Sequence, residues 1–124
     1  DVIVSDHIPE DEESKRLPFS QAATGAIGIE TLLPLALEMH HNESLPLNKI
    51  IETLTINPAK ILQINKGTLA KGSDGDICVL DLDAPWVVKA EKLKSKSKNT
   101  AIEGRKLQGK ILMTFLNGEL VFNQ

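Results

Sequence analysis

The chain has 124 residues, with 14 lysines and arginines against 17 aspartates and glutamates and a formal charge of −3. Apolar residues at 41% and charged residues at 25% are ordinary for a globular chain, and the length suits one domain or two small pieces. The mild acidity speaks against a nucleic-acid binder, because the densest basic stretch, Lys89 to Lys98, is diluted by Ala90, Glu91, Leu93 and serines. No apolar run approaches the roughly 18–20 residues needed to span a bilayer, and the first residues lack the basic start of a signal peptide. A single cysteine, Cys78, excludes an internal disulfide and a cysteine-rich zinc site. These features predict a cytoplasmic protein.

In chain order, Asp1-Val2-Ile3-Val4 is a β-branched run that reads as a buried strand, ending in Ser5-Asp6-His7. A strand that opens the chain with no partner before it suggests a piece of a longer protein. Ile8 to Gln21 reads as a polar loop carrying Glu10, Asp11, Glu12 and Glu13, long enough to be functional or disordered. Gly25-Ala26-Ile27-Gly28 can bring backbone close to a ligand or to a neighbouring element. Ile29 to His41 has apolar Ile29, Leu32, Leu33, Ala36 and Leu37 at helical spacing, and Pro34 is tolerated near its start. A second helix is expected over Leu47 to Leu54. A third is expected to open on an Asn57 cap followed by Pro58 and to run to about Ile64. Beyond the glycines at 67, 72 and 75 the pattern turns to strand. Ile77 to Leu80, Trp86 to Val88, Lys110 to Phe115 and Glu119 to Phe122 are strand candidates, the last two joined by the hairpin signal Asn117-Gly118. A boundary between a helical and a β half falls near residue 65, and four to six mostly antiparallel strands are expected. Leu32, Leu33, Leu37, Ile50, Ile51, Leu54, Ile61, Ile77, Val79, Leu112 and Phe115 are the expected core, with Trp86 packing at the edge of the β half.

Asp6 is the foremost chemical candidate. A carboxylate just past the C-terminal end of a strand can ligate a divalent metal or act as a general base, and it can equally be a turn or cap residue. His7 reads as a structural histidine. His40 and His41 are adjacent, so they point about 100° apart on a helix and read as solvent-facing near its C-terminal end. Cys78 reads as a small core residue and the Glu10–Glu13 run as a solvated face. The residues alone hold no complete metal site.

Four segments, in order and spacing, resemble the C-terminal third of dihydroorotases, cyclic amidohydrolases of the amidohydrolase superfamily. They are Ser5-Asp6-His7-Ile8-Pro9, then Leu17-Pro18-Phe19 with Gly25 to Leu35, then Leu54-Thr55-Ile56-Asn57-Pro58-Ala59-Lys60-Ile61-Leu62, and Gly67 to Ile77. The last two are similar to segments of hydantoinases and allantoinases as well. The resemblance implies an α/β fold, with residues 1–65 ending a (β/α)8 barrel and residues 66–124 forming part of a small β-sandwich. It implies reversible cyclisation of N-carbamoyl-L-aspartate to dihydroorotate in pyrimidine synthesis, with a zinc pair as cofactor. By the same match Asp6 binds one zinc and shuttles the proton to the leaving amide nitrogen, and the backbone at Thr24 and Gly25 approaches the substrate ring. The implied partners are a small-molecule substrate, a second copy of the chain in a homo-oligomer, and aspartate transcarbamoylase.

The chain departs from that pattern at Glu10, where many dihydroorotases carry a histidine that binds the substrate carboxylate. Lys15 or Arg16 is expected to supply a compensating cation. The remaining metal ligands of the family are expected upstream, so these residues alone should not turn over substrate. The alternatives are a non-catalytic partner of aspartate transcarbamoylase, or another cyclic amidohydrolase such as allantoinase or dihydropyrimidinase.

Overall fold

The computed structural model describes residues 1–124. Four helices come first: α1 (Glu12–Lys15), α2 (Leu32–His41), α3 (Leu47–Leu54) and α4 (Ile56–Ile61). Three strands follow, β1 (Ile77–Val87), β2 (Lys106–Leu116) and β3 (Glu119–Asn123), in one antiparallel sheet of order β1-β2-β3. Single 3-10 turns lie at Ile29–Thr31, leading into α2, and at Ala90–Lys92. The class is α/β, with three strands in the sheet where four to six were expected.

The opening apolar run is not a strand. Residues 1–5 pair with no other strand, and the run is tied down by a bond from the Ile3 N–H to the Thr53 carbonyl (3.2 Å). The segment beyond it is not wholly loop. Asp11 accepts the Ser14 N–H at 2.7 Å and caps α1, whose first turn carries Glu12 and Glu13 where the helix dipole favours negative charge.

Helix α3 has the predicted bounds. Asn57 sits inside α4 rather than capping it, and its amide instead donates to the Asp1 carbonyl at 2.8 Å. The helix also ends at Ile61, three residues short of expectation.

The two strand candidates around residues 77–88 are one strand with a bulge. Asp81 pairs with Lys110 and Pro85 with Gln108, so β1 carries two more residues than β2 across this interval. The Asp81 carboxylate accepts the N–H groups of Asp83 (3.0 Å) and Ala84 (3.1 Å), which holds the bulge, and Pro85 takes a place a regular ladder would deny it. Asn117 and Gly118 have φ of 52° and 82°, the conformation a two-residue hairpin between β2 and β3 demands.

The main apolar cluster joins Ile27, Val88, Leu93 and Leu107, with Leu35, Trp86 and Ile102 packed on it. Leu37 and Ile50 are also fully buried. Ile61, 66% exposed, and Ile77, 41% exposed, lie outside the core, because no element of these residues covers the outer face of α4 or the start of β1. Cys78 is likewise exposed, its thiol 3.9 Å from the Thr114 hydroxyl. His40 and His41 are half-buried rather than solvent-facing, and Nε2 of His41 is buried without a partner.

Helix α2 meets the sheet at Gly109. This residue has φ of +103°, and a Cβ there would stand 2.5 Å from Cδ1 of Leu37. Its carbonyl accepts the Trp86 indole N–H at 3.1 Å, and Arg105 pairs with Glu38 of α2 at 2.7 Å beside the contact. Gly109→Ala is therefore expected to lower stability by about 1–3 kcal/mol through overpacking and backbone strain. A double-mutant cycle with Leu37→Ala, read by denaturant unfolding, should recover part of that loss; strictly additive effects would count against a direct clash.

A second link ties the start of β1 to the hairpin. The Asn117 N–H donates to Asp76 at 2.9 Å, and the Lys66 ammonium lies 2.6 Å from both Asp74 and Asp76. The Asn117 N–H and then the Lys66 ammonium hold the Asp76 carboxyl below the usual carboxylate range. Asp74 and Asp76 in turn raise the Lys66 ammonium above 10.5. The depressed Asp76 stabilises the fold above its unfolded-state pKa, and that stabilisation disappears as pH falls through the folded-state value. The Lys66 contribution runs the other way, present at neutral pH and lost as pH rises through its folded-state value. Asp76→Ala should therefore flatten the decline in melting temperature between about pH 5 and pH 2. A decline as steep as that of the unaltered chain would refute the assignment.

Candidate functional site

Asp6 sits in an irregular stretch of backbone fixed from the C-terminal side by three short segments lying side by side. His7 pairs in parallel with Ala26, and Ile27 in parallel with Thr100. The Ile8 N–H donates to the Ala26 carbonyl at 3.0 Å, and the Ile27 N–H to the Asn99 carbonyl at 3.3 Å. Each of these bonds contributes about 1 kcal/mol net, but together they set the register of residues 6–8 against 25–27.

Side chains reinforce the arrangement. The Lys15 ammonium donates to the carbonyls of Ala23 (2.7 Å) and Gly25 (2.9 Å). The Asn99 amide reaches the Gly25 carbonyl at 3.3 Å, and the Ser97 hydroxyl donates to the Glu10 carbonyl. The Glu30 carboxylate accepts the N–H groups of Lys94 (2.9 Å) and Ser95 (3.0 Å), docking residues 93–95 against the start of the 3-10 turn before α2.

Gly25 has φ of +120°, and a Cβ there would come within 2.6 Å of the Ile8 side chain. The need for glycine is thus met inside the chain, by backbone conformation and by Ile8. Asp6 itself has φ of 44°, a left-handed conformation that aspartate tolerates better than most residues. Its side chain is exposed and enters none of the ion pairs, so the carboxylate is free to accept a proton or to ligate. His7 is half-buried, with its Nδ1 3.0 Å from the Gly28 nitrogen and 3.4 Å from that of Ile29.

The structure brings Asp6 and Gly25 to one cleft of about 640 Å³, lined mainly by apolar side chains such as Ile3, Leu32, Leu35 and Met39. Glu10 lies on a different, polar cleft of about 870 Å³, shared with Lys15, Lys96, Lys98 and Asn99. Thr24 is exposed beside Gly25. The two cations expected to offset Glu10 are already engaged: Arg16, just past α1, pairs back with Glu12 and Glu13, and Lys15 holds the two carbonyls. Lys15, Glu30 and Asn99 organise the site in roles the sequence did not signal, Lys15 having stood out only as a cation opposite Glu10. Their partners are backbone groups up to 74 residues away, and backbone acceptors leave no mark in the residue pattern.

No three of the histidine, cysteine, aspartate and glutamate side chains come together in a group able to hold a metal ion. The residues of this chain therefore do not by themselves fit a metal centre, although Asp6 offers one free oxygen donor. The chemistry they supply is one unpaired carboxylate on a backbone segment held in a left-handed conformation, among the residues that line an apolar cleft.

Known proteins resemble the chain over nearly its whole length. The model of the amidohydrolase family matches residues 1–121. A dihydroorotase of Ehrlichia chaffeensis is 43% identical over 122 residues, 98% of this chain. One from a Wolbachia of Drosophila simulans is 39% identical over 124 residues. The chain spans 27% of the Ehrlichia protein and 28% of the Wolbachia protein. Among solved structures, L-hydantoinase (dihydropyrimidinase) from Arthrobacter aurescens is 34% identical, covering 84% of this chain and 24% of its own length, with a TM-score of 0.77. Dihydropyrimidinase from Brevibacillus agri shares the fold more fully, with a TM-score of 0.92 over 98% of this chain and 28% of its own at 24% identity. The match across residues 1–121, with identities near 40% to curated relatives, establishes that this chain belongs to the amidohydrolase family.

Proposed function

We propose that the chain is the C-terminal portion of a dihydroorotase, the enzyme that interconverts N-carbamoyl-L-aspartate and dihydroorotate. The observation that carries this reading is the identity of 39–43% to curated dihydroorotases across 98% or more of the chain. In this reading residues 1–65 end a (β/α)8 barrel and residues 66–124 belong to a small β-sandwich. The opening apolar run then finds its strand partners outside these residues. The exposed apolar side chains of Val4, Phe19, Ile61 and Leu69 fit a chain that packs against further protein. Assembly into a homo-oligomer or with aspartate transcarbamoylase, and a cytoplasmic location, belong to the same reading.

Asp6 is the residue to which we assign proton transfer at the scissile amide, and one ligand position of a zinc centre. The other ligands are not among these residues, and the chain alone is therefore inactive. A carboxylate within hydrogen-bond reach of a reacting nitrogen accelerates such chemistry by about 10²–10⁴-fold. The backbone of Thr24 and Gly25 lines the substrate ring, supported by the cleft that Gly25 shares with Asp6. Glu10 acts from the neighbouring cleft and gives this chain a different approach to the substrate carboxylate.

The test uses the full-length protein, with zinc per chain measured by elemental analysis and dihydroorotate hydrolysis assayed on the same sample. Bound zinc and turnover are expected, with kcat falling about 10²–10⁴-fold in Asp6→Ala. Zinc-free protein without turnover would move the reading to a silent partner of aspartate transcarbamoylase. Turnover of hydantoin or dihydrouracil but not dihydroorotate would place it with the hydantoinases and dihydropyrimidinases.

A further inference from the structure

We infer that His7 is a positioning residue: by accepting the Gly28 and Ile29 N–H groups on its Nδ1, it fixes the backbone segment that aims the Asp6 carboxylate. Its catalytic consequence rests on the assignment of Asp6 to proton transfer. Asp6 holds a left-handed backbone conformation at φ 44°, which aspartate bears better than most residues, and a constraint from its surroundings helps to hold it there. The next residue supplies that constraint twice. The His7 backbone is paired with Ala26, and its ring reaches the two N–H groups at the start of the 3-10 turn that leads into α2.

Both groups facing Nδ1 are donors, at 3.0 Å and 3.4 Å, so Nδ1 must carry a lone pair and the ring proton must sit on Nε2. The backbone segment that bears Asp6 is thereby locked to α2, whose Leu37 is fully buried and packs on β2 at Gly109. The exposed carboxylate inherits the rigidity of that junction, although its own side chain has no partner within the chain. A misplacement of about 1 Å at a reacting group can cost roughly 10²-fold in rate.

A histidine that merely capped the helix turn would affect stability alone, so the test reads geometry and catalysis separately. In the full-length protein, ¹⁵N NMR of the imidazole should show the Nε2-protonated tautomer. Substitution supplies the second readout. Asparagine places its side-chain oxygen at the same reach as Nδ1, whereas glutamine places it one bond farther out. His7→Asn is expected to keep kcat for dihydroorotate within about threefold, while His7→Ala and His7→Gln lose about 10–100-fold with KM nearly unchanged. Exchange of the Gly28 amide should follow the same order, slow in the unaltered protein and in His7→Asn, and fast in His7→Ala. A proton on Nδ1, or equal kcat in the alanine and asparagine variants, would overturn the inference. If the unaltered protein does not turn over dihydroorotate, the functional reading fails. The tautomer and the Gly28 exchange order still decide whether His7 holds this segment in place.

Discussion

The site depends on residues 97–100 lying alongside residues 25–27, which in turn lie alongside residues 6–8. Ile27 is the hinge of this arrangement. Its N–H reaches the Asn99 carbonyl, and its side chain enters the cluster with Val88, Leu93 and Leu107. The candidate carboxylate and the sheet therefore share one core, and a change in the packing beneath Leu107 is transmitted to Asp6 through two backbone pairings. Closing a loop of more than 70 residues between Gly25 and Asn99 costs chain entropy, but that cost grows only logarithmically with length. Burial of four apolar side chains together with the bonds from Lys15, Glu30 and Asn99 offsets it.

Much of this was legible in the residue pattern where local rules govern. The Asn117-Gly118 hairpin follows from the positive φ that both turn positions require, and helix α3 follows from the spacing of Leu47, Ile50, Ile51 and Leu54. Asp6 emerged as the foremost candidate from its place after an apolar run and from the Ser-Asp-His-Ile-Pro segment. The structure leaves that carboxylate free of internal partners.

Other features were beyond local reading for identifiable physical reasons. A β-branched run such as Val2-Ile3-Val4 is a strand only when another strand lies beside it, and none of these residues provides one. Ile61, Ile77 and Cys78 have the composition of core residues, but burial depends on what covers them. Asn57 followed by Pro58 has the pattern of a cap, yet a nearby free carbonyl at Asp1 captures the amide. The β1 bulge was hidden because Asp81 stabilises it through backbone N–H groups two and three residues on, which no periodicity reveals.

Native-state amide hydrogen exchange of Ile8, Ile27 and Val88 tests the shared core most directly. The Ile8 and Ile27 amides bond across the three paired segments, and the Val88 amide bonds to the Arg105 carbonyl at 2.9 Å beside the main cluster. If site and sheet are one cooperative unit, the three amides open with the same free energy, and Asn99→Ala lowers the protection of Ile8 and Ile27 together. Exchange at Ile8 and Ile27 orders of magnitude faster than at Val88 would contradict the account and make the stretch around Asp6 an independent, loosely held segment.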